Sequence, residues 1–205
     1  MLFLKIESKI TSLKDVVISA DRKIELQALV DYIQDKVSNN KNVNLNFICT
    51  HNSRRSHLSQ IWAQVASHYF NIKNVYCYSG GTESTALFPV VASTLENVGF
   101  QIDKLSEGTN PIYSIKYSEN EHPIVGFSKT YDNQFNPQNE FAALMTCSQA
   151  DEGCPIVLGC EKRILVKYDD PKIFDNTPQQ KEKYEERSNQ IASEMLYVFF
   201  KIKLN

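Results

Sequence analysis

The chain has 205 residues, 42% of them apolar and 22% charged, the proportions of a soluble globular protein with one sizeable core. Its formal net charge of −2 gives no electrostatic reason to expect nucleic acid or an anionic membrane surface as a partner. No run of about 18 apolar residues occurs, so no membrane-spanning helix is expected.

The opening, "MLFLKIESKITSLKD", is apolar at first. It has no basic leader, no long apolar stretch and no small-residue cleavage site, so a cytoplasmic location is expected rather than export. A helix is predicted over 21–38, with Leu26, Leu29, Val30, Ile33 and Val37 at helical spacing and Asp21 or Ser19 as its cap. Residues 1–42 read as an N-terminal helical extension. The apolar run 43–49 is the first core strand. Helical spacing returns over 56–70 in Leu58, Ile61, Trp62, Val65 and Tyr69. "VYCYSGG" reads as a second strand ending in a glycine turn, and "FPVVASTLENVG" as a helix capped by Gly99. Residues 112–129 alternate around a polar turn and predict a hairpin, a decoration on the main fold. "EFAALMTC" and "RILVKYDD" are the third and fourth core strands. A long helix closes the chain, with Pro178 in its first turn and Ile191, Met195 and Val198 facing inward. Strands alternating with helices predict an α/β fold with a largely parallel sheet.

Five cysteines are present, Cys49, Cys77, Cys147, Cys154 and Cys160. The odd number and wide spacing indicate neither a disulfide framework nor a C-x2-C zinc site, and the four histidines show no metal spacing either, so no metal and no tightly bound cofactor is expected.

The chemistry concentrates where the first strand ends. "CTHNSRRS", Cys49 to Ser56, has the form C-x5-R-S between a strand and a helix. Backbone N–H groups of such a loop wrap a tetrahedral oxyanion at a helix start, and an arginine, Arg55, forks onto two of its oxygens. Cys49 sits at the focus, ready to attack the central atom. Ser56 is placed to hydrogen-bond its sulfur and favour the thiolate.

This stretch resembles the phosphate-binding loop of low-molecular-weight protein tyrosine phosphatases and of the thioredoxin-coupled arsenate reductases that share their fold. Asn52 matches the loop's asparagine. "YSGGTES" is similar to the second strand and turn, with Ser79 supporting the loop. The resemblance covers about residues 43–205. It implies a three-layer α/β/α domain with a central, mostly parallel four-stranded sheet, to which the N-terminal helix and the hairpin are additions. It also implies an oxyanion held by Thr50, His51, Asn52, Ser53, Arg54 and Arg55. Two positions depart from the pattern: His51 stands where glycine is usual, suggesting strain or a ligand contact, and Arg54 precedes the key arginine and is expected to face solvent.

"TCSQADEGCPIVLG" separates the two branches. Alone, Cys147 and Cys154 would read as a core thiol beside a loop thiol. The segment resembles that of the arsenate reductases, and tyrosine phosphatases of this fold lack the pair. The resemblance implies a relay in which Cys49 takes arsenate, Cys147 attacks Cys49, and Cys154 resolves the disulfide, with thioredoxin as external reductant. Asp170, before Pro171 in "KYDDPK", resembles the catalytic acid. Cys77 and Cys160 match no functional position and are expected to be packing residues. The alternatives are a phosphatase acting on phosphotyrosine or small phosphoesters, and a sensor that binds the anion without turnover.

Overall fold

The computed structural model describes residues 1–153 and 156–204. The central sheet is four-stranded, in the order β2 (Val75–Gly81), β1 (Val43–Cys49), β6 (Phe141–Met145) and β7 (Cys160–Leu165), with every pairing parallel. Alternation along β1 shows what each face buries. Val43, Leu45 and Phe47 enter the larger core, together with Ala142 and Leu144 of β6. Ile48 and Cys49 join Phe141, Ala143, Met145 and Cys147 in a smaller cluster. Asn46, buried on a strand, donates to the Tyr131 carbonyl at 3.1 Å, so its amide is partly satisfied by the loop packed over it.

Helices α1 (Leu4–Leu13), α2 (Ala20–Ser38), α3 (Arg55–Tyr69), α4 (Pro89–Val98) and α6 (Gln180–Phe200) supply the larger core. The smaller one is completed by Ala150 of the short helix α5 (Ser148–Gly153), by Val157 before β7 and by Tyr131. A second sheet, β3 (Gln101–Lys104), β4 (Tyr113–Lys116) and β5 (Ile124–Gly126), is antiparallel throughout. No helix among the described residues is long and apolar enough to cross a membrane.

Several boundaries differ from the sequence reading. Helix α1 was not expected. Its apolar residues Ile6, Ile10 and Leu13 are buried, and the backbone N–H of Phe3 reaches the Tyr117 carbonyl at 3.0 Å to anchor the chain start on β4's continuation. Of the two candidate caps for α2, Ser19 is used: its hydroxyl accepts from the Arg22 N–H. Strand β7 begins at Cys160 rather than Arg163, and its early residues Glu161, Lys162 and Arg163 are exposed charges, as befits a sheet edge. The extended backbone runs on past Leu165, with Val166 and Tyr168 donating to Met145 and Thr146. Pro178 lies before the terminal helix, which starts at Gln180. The predicted hairpin is present and gains β3 as a third strand.

Residues 1–42 bury Leu26, Leu29 and Ile33 completely in the same core as β1 and α6. Leu29→Ala should therefore lower the stability of the whole chain by about 2–5 kcal/mol, seen as a shift of one urea transition. A separate early transition would mean instead that α2 is a detachable extension.

Candidate active site

β1 and β6 run in parallel and stop together, with Ile48 opposite Met145. The Thr146 N–H donates to the Ile48 carbonyl at 2.8 Å. Adjacent strands lie about 4.8 Å apart, so Cys49 and Cys147 leave neighbouring strand ends. Both are buried, in the same apolar cluster. Thr50 stands between the loop and the second thiol, its hydroxyl 3.6 Å from Cys147 Sγ.

The loop Thr50–Arg54 runs directly into α3. Asn52 takes the left-handed conformation, φ 44°, which asparagine tolerates. His51, where glycine was usual, has no positive φ, so it brings no such strain. The Asn52 side chain fixes two partners at once. Its Oδ1 accepts from the Lys129 backbone N–H at 2.9 Å, which leaves Nδ2 to donate to Ser56 Oγ at 2.9 Å. Ser56 Oγ lies 3.1 Å from Cys49 Sγ. With its oxygen already accepting from Asn52, the hydroxyl has its proton free to donate to the sulfur. Among the described residues, no backbone N–H from His51 to Ser56 finds an acceptor. Buried backbone donors without partners are rare, and at a helix start they form an anion cradle.

Gly81 lets the second strand approach this loop. A Cβ there would lie 2.7 Å from both the Asn52 nitrogen and the Thr50 oxygen. Thr82 and Glu83 then donate to the carbonyls of Cys49 and Thr50. Ser79, expected to support the loop, is buried with its hydroxyl 3.3 Å from Nδ1 of His57 in the first turns of α3. His57 is fully enclosed, and burial, aided by Lys129, lowers its pKa to about 3. Ser53 is held by its carbonyl, which accepts from Phe88.

Arg55 is buried and points its fork at the acid strand, the extended run 166–170 that follows β7 and carries Asp169 and Asp170. Nη1 donates to the Tyr168 carbonyl at 3.0 Å and Nη2 to Asp170 Oδ2 at 2.7 Å. Its Nε has no partner among the described residues. Asp170 Oδ1 also accepts from the Lys172 N–H, capping the 3₁₀ turn Pro171–Phe174. Cys49, Ser56, Arg55, Asp170 and Cys147 are thus brought into one place. Cys154 lies outside the described residues.

Arg54 corrects the sequence reading. It does not face solvent. Its side chain is buried, with Nε donating to Tyr184 at 2.6 Å, Nη2 paired to Asp175 at 2.6 Å, and the guanidinium 4.1 Å from the Phe88 ring centroid. Any part it has in anion binding falls to its backbone N–H. Cys77 is enclosed in β2, and burial pushes its thiol up, away from the reactive range. Cys160 is half-buried, its thiol also raised by burial.

Sequence reasoning missed the clamp from the far side. Ser128 Oγ donates to the His51 carbonyl at 2.9 Å, and Lys129 bonds Asn52 and Gly81 through its backbone. These residues close the 112–129 segment that had been read as decoration. Lys129 is itself buried, its ammonium over the rings of Phe127 and Phe135, and burial lowers its pKa to about 8. Arg22 of α2 was missed too. It forks onto Glu194 and lies 4.9 Å from the Tyr168 ring centroid, bracing the acid strand.

No protein-family model matches the sequence, and no curated protein does. Solved structures do match. A low-molecular-weight phosphotyrosine phosphatase from Vibrio cholerae O395 aligns with a TM-score of 0.53 at 14% identity, over 78% of this chain and 95% of that one. The chain has the low-molecular-weight phosphotyrosine phosphatase fold. An arsenate reductase from Archaeoglobus fulgidus DSM 4304 aligns with a TM-score of 0.49 at 16% identity, over 77% and 99% of the two chains. A thioredoxin-dependent arsenate reductase from Corynebacterium glutamicum gives 0.40 at 18% identity, over 91% and 80%. In the phosphatase fold of this chain, the Cys49 loop occupies the carboxyl end of a parallel strand, where open α/β sheets bind ligands.

Two outcomes check this geometry. Arg54→Met strands Asp175 beside Tyr184 and should cost about 3–5 kcal/mol, measured by urea unfolding; a cost under about 0.5 kcal/mol would put Arg54 on the surface after all. His57 has a folded-state pKa below its unfolded value near 6.5. Its contribution to stability is therefore complete at neutral pH and is lost as pH falls from about 6.5 toward 3, because the unfolded chain takes up the proton first. Its ring resonances should not titrate between pH 8 and pH 5, and a midpoint near 6.5 would contradict its enclosure.

Proposed function

We propose that this chain is an enzyme, an arsenate reductase working through a thiol–disulfide relay. The juxtaposition of Cys49 and Cys147 at the ends of adjacent parallel strands carries this reading, because a phosphatase needs only the first thiol. Cys49 as thiolate attacks the arsenic of arsenate held by the loop N–H groups and Arg55. One oxygen leaves as water, and Asp170 supplies a proton to it. Anion entry takes Arg55 from Asp170, which frees that carboxyl for the task. Cys147 then attacks the Cys49 sulfur. The S–As bond breaks, its electron pair stays on arsenic, arsenite departs, and a Cys49–Cys147 disulfide remains. Cys154 attacks Cys147, frees Cys49, and leaves a Cys147–Cys154 disulfide for thioredoxin to reduce.

The Arg55–Asp170 pair also suits phosphoester hydrolysis, with Cys49 carrying the phosphoryl group and Asp170 acting as acid and then base. In that reading Cys147 and Cys154 form a reversible protective disulfide.

Arsenate-dependent NADPH oxidation with thioredoxin and thioredoxin reductase separates the two. Turnover should occur in the wild type and vanish in Cys147→Ser and in Cys154→Ser. Hydrolysis of p-nitrophenyl phosphate that survives both substitutions, with no arsenate turnover, would overturn the reductase in favour of the phosphatase. In whichever reaction is found, Asp170→Asn should slow turnover by about 10²–10⁴-fold.

A further inference from the structure

Beside the Cys49 loop, a cavity of about 470 Å³ opens between the acid strand and α6. A bare tetrahedral oxyanion held by the loop would leave most of it to water. Four cationic side chains line it, Arg22, Arg55, Lys167 and Arg187, against two carboxylates, Asp169 and Asp170. The one aromatic residue in the wall, Tyr168, is buried, so no exposed ring face waits for a phenyl group.

Two of the cations are committed. Arg22 is forked onto Glu194 and also bonded to Glu25. Arg55 is bonded to the Tyr168 carbonyl and to Asp170. The other two have charge to spare. Lys167 is exposed and has no acidic partner among the described residues. Arg187 reaches Gln190 and a single carboxylate, Asp169 at 3.3 Å, whose side chain is 94% exposed and so held weakly. A cavity wall with a free ammonium and a guanidinium paired only to an exposed carboxylate is suited to an oxygen anion.

We propose that this cavity is a subsite for a second anionic group on the ligand. The ligand class is a small tetrahedral oxyanion bearing a carboxylate, or a second acidic group, on a short arm. The oxyanion sits in the Cys49 loop and the arm's charge is received between Lys167 and Arg187. This inference rests on the reading of the Cys49 loop as an oxyanion site.

Phosphonates test it on the reduced wild-type chain, because their C–P bond survives the Cys49 chemistry. The probes are 3-phosphonopropionate and propylphosphonate, which differ in the terminal carboxylate, with binding measured by calorimetry. The carboxylate should tighten binding by about fivefold, the order of one solvent-screened ion pair. Lys167→Ala and Arg187→Gln should each erode that preference and leave propylphosphonate affinity unchanged, while Arg55→Ala should weaken both probes. Equal affinity of the two probes, with binding still dependent on Arg55, would overturn the subsite and keep the loop. A carboxylate preference that survives both Lys167→Ala and Arg187→Gln would overturn it as well. Failure of both phosphonates and of inorganic phosphate to bind would overturn the loop reading and the subsite with it.

Discussion

The parallel pairing of β1 with β6 is the constraint on which the rest of the site depends. Both strands are buried on two faces, so their register is held by the core and not by the loops. Because they run the same way and stop together, two thiols separated by almost a hundred residues leave the sheet at one edge. An antiparallel pairing would have sent them to opposite ends. A slip of one residue in β1 would turn Leu45 and Phe47 out of the larger core and bring Asn44 and Asn46 into it, a cost no loop contact could offset.

What the sheet positions, polar contacts then shape. The loop after β1 makes few bonds within itself. It is held from outside, by Gly81 and the residues after it, by Ser128 and Lys129, and by the helix it opens. The consequence is a run of backbone N–H groups with no internal partner. Backbone N–H groups gathered at a helix start are the donors from which an anion accepts. Arg55 behaves in the same way. In this structure it is paired with Asp170, a partner that an entering oxyanion would replace in the proposed reaction. The helices of residues 1–42 touch the same region, since Arg22 of α2 packs on Tyr168, two residues before Asp170.

The parts of this arrangement that were legible in the sequence are local. β1, β2 and α4 are short apolar runs whose ends fall where the pattern changes: polar residues flank β1, β2 ends in glycines, and Pro89 and Gly99 bound α4. The C-x5-R-S spacing places an arginine and a serine at a helix start without any tertiary knowledge. Other parts were hidden for physical reasons. Helix α1 has only three buried positions in ten residues, too few to distinguish from an apolar chain start. β3 is nearly all exposed, so no alternation marks it. β7 is an edge strand whose charges disguised its beginning. The direction of Arg54 depends on Asp175 and Tyr184, and the loop clamp on Ser128 and Lys129, all of them distant in the chain. A side chain's partners across such separations leave no mark in spacing or periodicity.

The central claim is that Cys49 and Cys147 meet in a thiol exchange made possible by the shared strand edge. Its most direct test uses Cys154→Ser, which blocks the following step. The reduced variant would be mixed with arsenate, quenched with iodoacetamide and mapped by peptide mass spectrometry. A peptide pair joined through Cys49 and Cys147, formed only when arsenate is present, is the predicted result. Cys147 recovered fully alkylated after arsenate has been consumed would contradict the account.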